Sequence, residues 1–227
     1  MKWEYSLHPH KFRLNPCWMP RNLDQQKAMA TEKTKLPELS LQQLFREART
    51  YPTWQEKPVA PELLHELFEL ANLGPTSMNC CPARFVFLTT PGAKERLLPA
   101  LMPGNVDKTK AAPVTAIIAT DSRFYEQMSK LWLQSDARPM FEDDPALAES
   151  TAFRNGTLMG GYFILAARAL GLDCGPMSGF EPGKVDGEFF SEGNWKVNFL
   201  CNLGYGDPAG LYPRNQRLSF AEGAIVL

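Results

Sequence analysis

Four short segments of this chain carry side chains suited to binding and chemistry, and they lie far apart in the sequence. Arg49-Thr50-Tyr51-Pro52-Thr53-Trp54 follows the first helical stretch. Gly74-Pro75-Thr76-Ser77-Met78-Asn79-Cys80-Cys81-Pro82-Ala83 is dense in short hydrogen-bonding groups. Gly104-Asn105-Val106-Asp107-Lys108 precedes an apolar run. Gly175-Pro176-Met177-Ser178-Gly179-Phe180 pairs with a C-terminal Arg214-Asn215-Gln216-Arg217-Leu218. Taken singly, each has an ordinary reading. An arginine at a helix C-terminus complements the dipole, and Pro, Ser and Asn favour turns.

Several other chemistries are disfavoured. The nearest approach to a dinucleotide fingerprint, Gly204-Tyr205-Gly206, runs into Asp207-Pro208, which opens a turn and not a helix. There is no P-loop, GxSxG elbow or HExxH. His8, His10 and His65 are the only histidines, and none has the context of a catalytic base, so Met177-Ser178-Gly179 does not suggest a serine triad. Cys17, Cys80, Cys81, Cys174 and Cys201 form an odd set without CxxC spacing, which argues against a disulfide framework or a zinc site. Cys80-Cys81 reads as two small side chains in a tight loop. Reduced thiols fit the cytoplasm.

The elements that must position these residues follow from periodicity. With 227 residues, 44% of them apolar, the chain suits one domain with a flexible arm. A net charge of -1 makes nucleic acid a poor partner. Residues 1–36 mix Pro9, Pro16 and Pro20 with no clear period and read as that arm. Met29 would be a natural start, so 1–28 is expected to be an upstream extension. Residues 37–227 form the working domain. Ser40 is expected to N-cap a helix carrying Leu41, Leu44, Phe45 and Ala48. Pro61 opens a second, stopped at Gly74-Pro75. Arg84–Thr90 reads as a strand, Lys94–Leu101 as a short helix, Pro113–Thr120 as a strand buried on both faces, and Arg123–Leu133 as a helix. Pro145–Leu170 is one long helix, C-capped by Gly171, whose Gly160-Gly161 pair would admit another backbone. Val197–Leu203 is a further strand. No stretch reaches the ~20 apolar residues of a membrane span, and no hydrophobic signal core opens the chain.

Together and in this order, the segments resemble the FMN-dependent nitroreductase family, and within it the malonic semialdehyde reductase branch of pyrimidine degradation. The resemblance runs from about Leu39 to Leu227. It is closest through ARTYPTW (48–54), GPTSMNCCPAR (74–84), TAFRN (151–155), LGLDCGPMSGF (170–180), NLGYGD (202–207) and RNQRLSF (214–220). It implies an α+β fold, a three-layer α/β/α sandwich around a mostly antiparallel sheet with a long central dimer helix. It also implies a homodimer with FMN at the subunit interface. Arg49 matches the arginine on the FMN phosphate, with Thr50 and Tyr51 beside it, and Arg217 and Arg214 match the C-terminal cations on the same phosphate. Asn105 and Lys108 match the pair at the polar edge of the flavin. Pro176, Met177, Ser178 and Gly179 match the loop on one ring face, with a backbone N–H near Ser178 facing N5. Pro75, Thr76, Ser77 and Asn79 match a loop reaching in from the other subunit.

The chemistry of that ligand suits these residues. Arginines give bidentate, charge-assisted bonds to a phosphate dianion. A lysine near N1–O2 stabilises the anion that forms on reduction. Where the commoner family loop has Gln and Trp, this chain has Cys81 and Ala83, and Ser178 stands where many nitroreductases have Glu. These departures agree with the semialdehyde reductase branch. The implied mechanism is ping-pong: NADH or NADPH gives hydride to flavin N5, then a small oxidant such as malonic semialdehyde receives it, with a proton from Tyr51, Ser178 or water. Arg154 could attract an anionic substrate or form an ion pair at the dimer interface. The alternatives are a broad nitroreductase or quinone reductase, a non-catalytic FMN-binding dimer, and a flavin-free interaction protein.

Overall fold

A computed structural model describes residues 34–191 and 193–227. The chain divides between Pro37 and Glu38 into two units, and every element below belongs to the second. The suggested extension at 1–28 lies outside the described residues.

Four strands form one sheet in the order β1-β2-β4-β3, with every neighbouring pair antiparallel. They are β1 (Ala83–Leu88), β2 (Val114–Asp121), β3 (Asp173–Met177) and β4 (Trp195–Gly204). The apolar run Val114–Thr120 is buried throughout, as a strand covered on both faces must be. Alternation splits its side chains between two cores. Val114, Ala116 and Ile118 pack with Leu64, Leu67 and Phe163; Ile117 and Ala119 pack with Leu97, Leu101 and Val185. Helices α2 (Pro61–Ala71) and α7 (Pro145–Ala169) therefore cover one face. On the other lie α3 (Pro91–Leu97), α4 (Pro103–Ala111) and α8 (Pro182–Phe189). This is the expected α+β three-layer arrangement.

Helix α7 is set by its ends. The Asp144 carboxylate accepts from Leu147 N–H at 3.0 Å at the N-terminus. At the other end Gly171 takes φ +77, Gly171 N–H reaches Arg168 O, and Leu172 N–H reaches Ala167 O, closing the helix in the left-handed C-cap manner. The Gly160-Gly161 expectation needs correction. Gly160 admits a side chain and not a backbone: a Cβ there would lie 2.5 Å from the Phe199 ring. Gly161 faces away, with nothing within 4 Å.

Other boundaries also differ. The first helix, α1 (Glu38–Leu41), begins before Ser40 and continues as a wide π turn, Gln42–Arg46, so Ser40 is no N-cap and Ala48 lies beyond the helix. The strand expected to reach Thr90 stops at Leu88 because Thr90 Oγ1 accepts from Ala93 N–H and caps α3. Arg123–Leu133 is broken into a 3-10 turn, Phe124–Gln127, and α5 (Met128–Leu131), followed by α6 (Arg138–Glu142). Elements α4, α6, β3 and α8 had no counterpart in the sequence reading. A short helix α9 (Phe220–Gly223) carries a capping box between Ser219 and Glu222 near the C-terminus. Among the described residues no helix is long and apolar enough to cross a membrane.

Candidate functional site

The fold gathers three of the four segments around one cavity of about 320 Å³, within the usual size of a small-molecule site. Arg49, Thr50 and Tyr51 leave the α1 turn along its wall, held by a parallel bridge from Thr50 to Cys174 on β3. Asn105 and Lys108 come from α4, one turn apart and so on one helix face. Pro176 and Met177 form the end of β3. Arg214 and Arg217 close the cavity from the C-terminal segment.

Three of these side chains are held by backbone carbonyls. Arg49 donates one guanidinium nitrogen to Tyr212 O at 2.5 Å, and Arg214 uses one to reach Arg46 O at 2.8 Å and Ala48 O at 3.1 Å. Both keep further N–H groups for a ligand. Asn105 Nδ2 donates to Gly179 O at 2.9 Å, and Met102 N–H donates to the same oxygen at 3.0 Å. The loop holding Ser178 and Gly179 is thereby tied to the start of α4. Ser178 and Gly179 do not themselves line the cavity, and Ser178 is exposed beside it.

Tyr51 is half-buried, and its phenol is held above the usual tyrosine range by burial, then by the Asp173 charge, with Arg49 opposing. It keeps its proton at neutral pH. Burial likewise raises the Asp173 carboxyl, against the pull of the Gly206 N–H and of Arg168. Burial pushes the Cys80 thiol up to about 11, and the hydrogen bond with Cys174 followed by burial holds the Cys201 thiol well above the ordinary thiol range. These thiols are protonated and poorly nucleophilic, in keeping with the structural reading of Cys80.

The fourth segment stands apart. Pro75, Thr76, Ser77 and Asn79 lie between α2 and β1 and line none of this cavity. Their loop is strained, with Met78, Asn79 and Cys81 at positive φ. It is pinned where Ser77 N–H meets Asn155 Oδ1 at 2.8 Å and Asn79 Nδ2 meets Leu131 O at 3.0 Å. Ser77 and Asn79 face outward. Arg154 also sits on the exposed side of α7, away from the cavity.

The structure adds Arg168 and Asn202 to the lining. Arg168 donates to Leu44 O at 3.0 Å, and its Nε is buried with no partner among the described residues. A cation near a helix C-terminus is ordinary at its own position. Asn202 is 2% exposed; its signal was one of two polar residues, with Asn198, in the mostly apolar run Val197–Leu203.

Five cations thus line the cavity (Arg49, Lys108, Arg168, Arg214 and Arg217), and no Asp or Glu does. A site so built calls for an anionic ligand rich in acceptors. A model described as the nitroreductase family matches residues 45–205, which span the cavity's walls except the C-terminal segment. The chain belongs to the nitroreductase family.

Curated relatives agree. A protein of Ralstonia nicotianae is 52% identical over 187 residues, covering 82% of this chain and 96% of the relative. One from Burkholderia lata is 56% identical over 193 residues, covering 85% and 99%. Both carry the provisional name NADH dehydrogenase/NAD(P)H nitroreductase. Among solved structures, the nitroreductase ydfN of Bacillus subtilis superposes with a TM-score of 0.75 at 22% identity, covering 84% of this chain and all (100%) of that one. A nitroreductase of Exiguobacterium sibiricum in complex with FMN gives 0.73 at 19%, covering 87% and 100%. These two show the shared fold.

Proposed function

We propose that this nitroreductase is an FMN-dependent NAD(P)H oxidoreductase and that the cavity is its flavin site. The observation that carries this is the acid-free ring of five cations, which matches a phosphate at one end and an electron-rich ring edge at the other. The donor set fits FMN: free guanidinium arms on Arg49 and Arg214, the orphaned Arg168 Nε, and the Asn105-Lys108 pair. When bound, the flavin supplies reversible hydride acceptance and donation.

The chain's own residues do the rest. Arg49, Arg214 and Arg217 hold the phosphate, with Thr50 beside them. Lys108 places a positive charge where negative charge grows on reduction. Asn105 positions the loop Pro176–Gly179 by its bond to Gly179 O. Tyr51, protonated at neutral pH, stands as a proton source at the cavity wall, and Ser178 stands exposed beside it.

The working unit is a homodimer. Helix α7 exposes Phe153 and Leu158, and the C-terminal segment exposes Leu218, Phe220, Ile225 and Val226, apolar surface that a second copy would cover. Pro75, Thr76, Ser77 and Asn79, outside the cavity of their own chain, serve the flavin of the partner. The substrate class is a small semialdehyde such as malonic semialdehyde, reduced to 3-hydroxypropionate. Cys81, Ala83 and Ser178 in place of the commoner Gln, Trp and Glu support that reading.

The test is a reoxidation screen. Protein reduced anaerobically with NADH or NADPH is mixed with malonic semialdehyde, a nitroaromatic and a quinone in separate stopped-flow runs. Fastest return of colour with the semialdehyde is expected. Return with the nitroaromatic or quinone alone overturns the substrate assignment, and no return with any of them favours a non-catalytic flavin dimer.

A further inference from the structure

Asn202 lies at the centre of a cross-strand row. It faces Thr115 of β2 on one side and Gly175 of β3 on the other. Its amide is part of a buried chain of polar groups joining β2, β4, α4 and β3. Thr115 Oγ1 donates to Asn202 Oδ1 at 2.8 Å, Asn202 Nδ2 donates to Thr109 Oγ1 at 3.5 Å, and Thr109 Oγ1 donates to Met177 Sδ at 3.9 Å. Thr109 and Thr115 are fully buried, and Asn202 is 2% exposed.

The direction of this chain is set at its far end. A thioether sulfur accepts and cannot donate. Thr109 must therefore point its hydrogen at Met177 and offer lone pairs to Asn202. That places the Asn202 nitrogen toward α4 and its oxygen toward Thr115. The nitrogen carries two hydrogens, and only one has an acceptor among the described residues, at the outer limit of bonding. Asn202 lines the cavity together with Gly175 and Lys108.

We infer that Asn202 is a further cofactor-contacting residue: its second amide N–H is held as a preorganised donor to an acceptor atom of the bound flavin on the side of Lys108. This rests on the flavin reading of the cavity and extends it to a residue on the sheet floor. A buried amide with a spare donor costs stability unless something accepts it, and the Thr109 and Thr115 hydroxyls beside it are already engaged with Met177 and with the Asn202 oxygen. The same amide, through Thr109, fixes the helix that carries Asn105 and Lys108.

Asn202→Asp tests this, because it keeps the shape and replaces the donors by an acceptor. Apoprotein is titrated with FMN by fluorescence quenching, and the midpoint potential of the bound flavin is measured by dye equilibration. FMN affinity should fall about tenfold or more, and the potential should drop, because a carboxylate opposes charge on the reduced ring. Asn202→Ala, which buries no charge, decides the matter if the aspartate variant fails to fold; about a fivefold loss of affinity is expected. Thr115→Val, which releases the orienting hydroxyl, should weaken binding by less. A purely structural Asn202 would lower thermal stability and leave the potential of the bound flavin unchanged. Variants that bind FMN like wild type, at the wild-type potential, overturn the assignment of Asn202. Wild-type protein that binds no FMN overturns the flavin reading itself.

Discussion

Asn105 Nδ2 donates to Gly179 O at 2.9 Å, so that the helix carrying Asn105 and Lys108 and the loop Pro176–Gly179 are one mechanical unit. A Cβ on Gly179 would lie 2.6 Å from that same nitrogen. Gly179→Ala therefore has to displace the Asn105 side chain. Its expected cost is about tenfold in FMN affinity, one neutral hydrogen bond and its geometry, with little change in overall stability. Isothermal titration with FMN and a melting curve check this; an unchanged Kd contradicts the coupling.

The phosphate assignment makes a sharper demand. Arg49→Ala or Arg217→Ala should each weaken FMN binding by roughly 1.5–3 kcal/mol, the range for hydrogen bonds to a charged group, or about ten- to a hundredfold. Arg214→Ala should also loosen the chain at the end of the π turn Gln42–Arg46, since Arg214 bonds Arg46 O and Ala48 O. Riboflavin, which lacks the phosphate, should bind wild type and the Arg49 variant equally. Equal FMN affinity across the series rejects the assignment.

Asp173 offers a pH test. Its folded-state pKa is raised, first by burial, so the folded protein holds this proton more tightly than the unfolded chain does. By linkage, stability then falls as pH rises from the ordinary carboxylate range up through the raised value, and the cost persists above it. Asp173→Asn can still accept from Gly206 N–H, whose bond to Asp173 Oδ2 is 2.9 Å. The variant should lack this fall and be at least as stable as wild type at neutral pH. Melting temperatures across the acidic range check it; identical pH slopes for the two proteins contradict it.

Packing against α7 gives a test away from the site. Gly160→Ala would place a Cβ 2.5 Å from the Phe199 ring. Overpacking costs about 1–3 kcal/mol, offset in part by the roughly 1 kcal/mol that alanine gains over glycine in a helix. A lower melting temperature is expected, with a smaller penalty in a Phe199→Leu background. A penalty independent of Phe199 contradicts the contact.

Much of the fold was legible because its signals were local. The apolar run Pro113–Thr120 reads as a doubly covered strand, and α7 announced itself through Pro145 and Gly171. What escaped was set by tertiary context. Asp173–Met177 carries Gly175 and Pro176, poor strand formers, and is a strand because β4 pairs with it. The segment Pro103–Ala111 has almost no apolar face, and its buried residue is Thr109, so periodicity passed over the helix that brings Asn105 and Lys108 together. The site residues followed the motifs and the resemblance they carry. Arg168 and Asn202 drew no role from them, although Asn202 opens the motif NLGYGD, because each has an ordinary role at its own position and comes to line the cavity only when the chain closes around it.

The five-cation cavity is proposed to hold FMN reducible by a nicotinamide. The most direct measurement is the visible spectrum of FMN-saturated protein, freed of excess flavin, during anaerobic addition of NADH or NADPH. The account predicts one flavin per chain and complete bleaching of the flavin bands on adding one equivalent of at least one of the two. A colourless protein after removal of excess FMN, or bound flavin that neither nicotinamide bleaches, would contradict it.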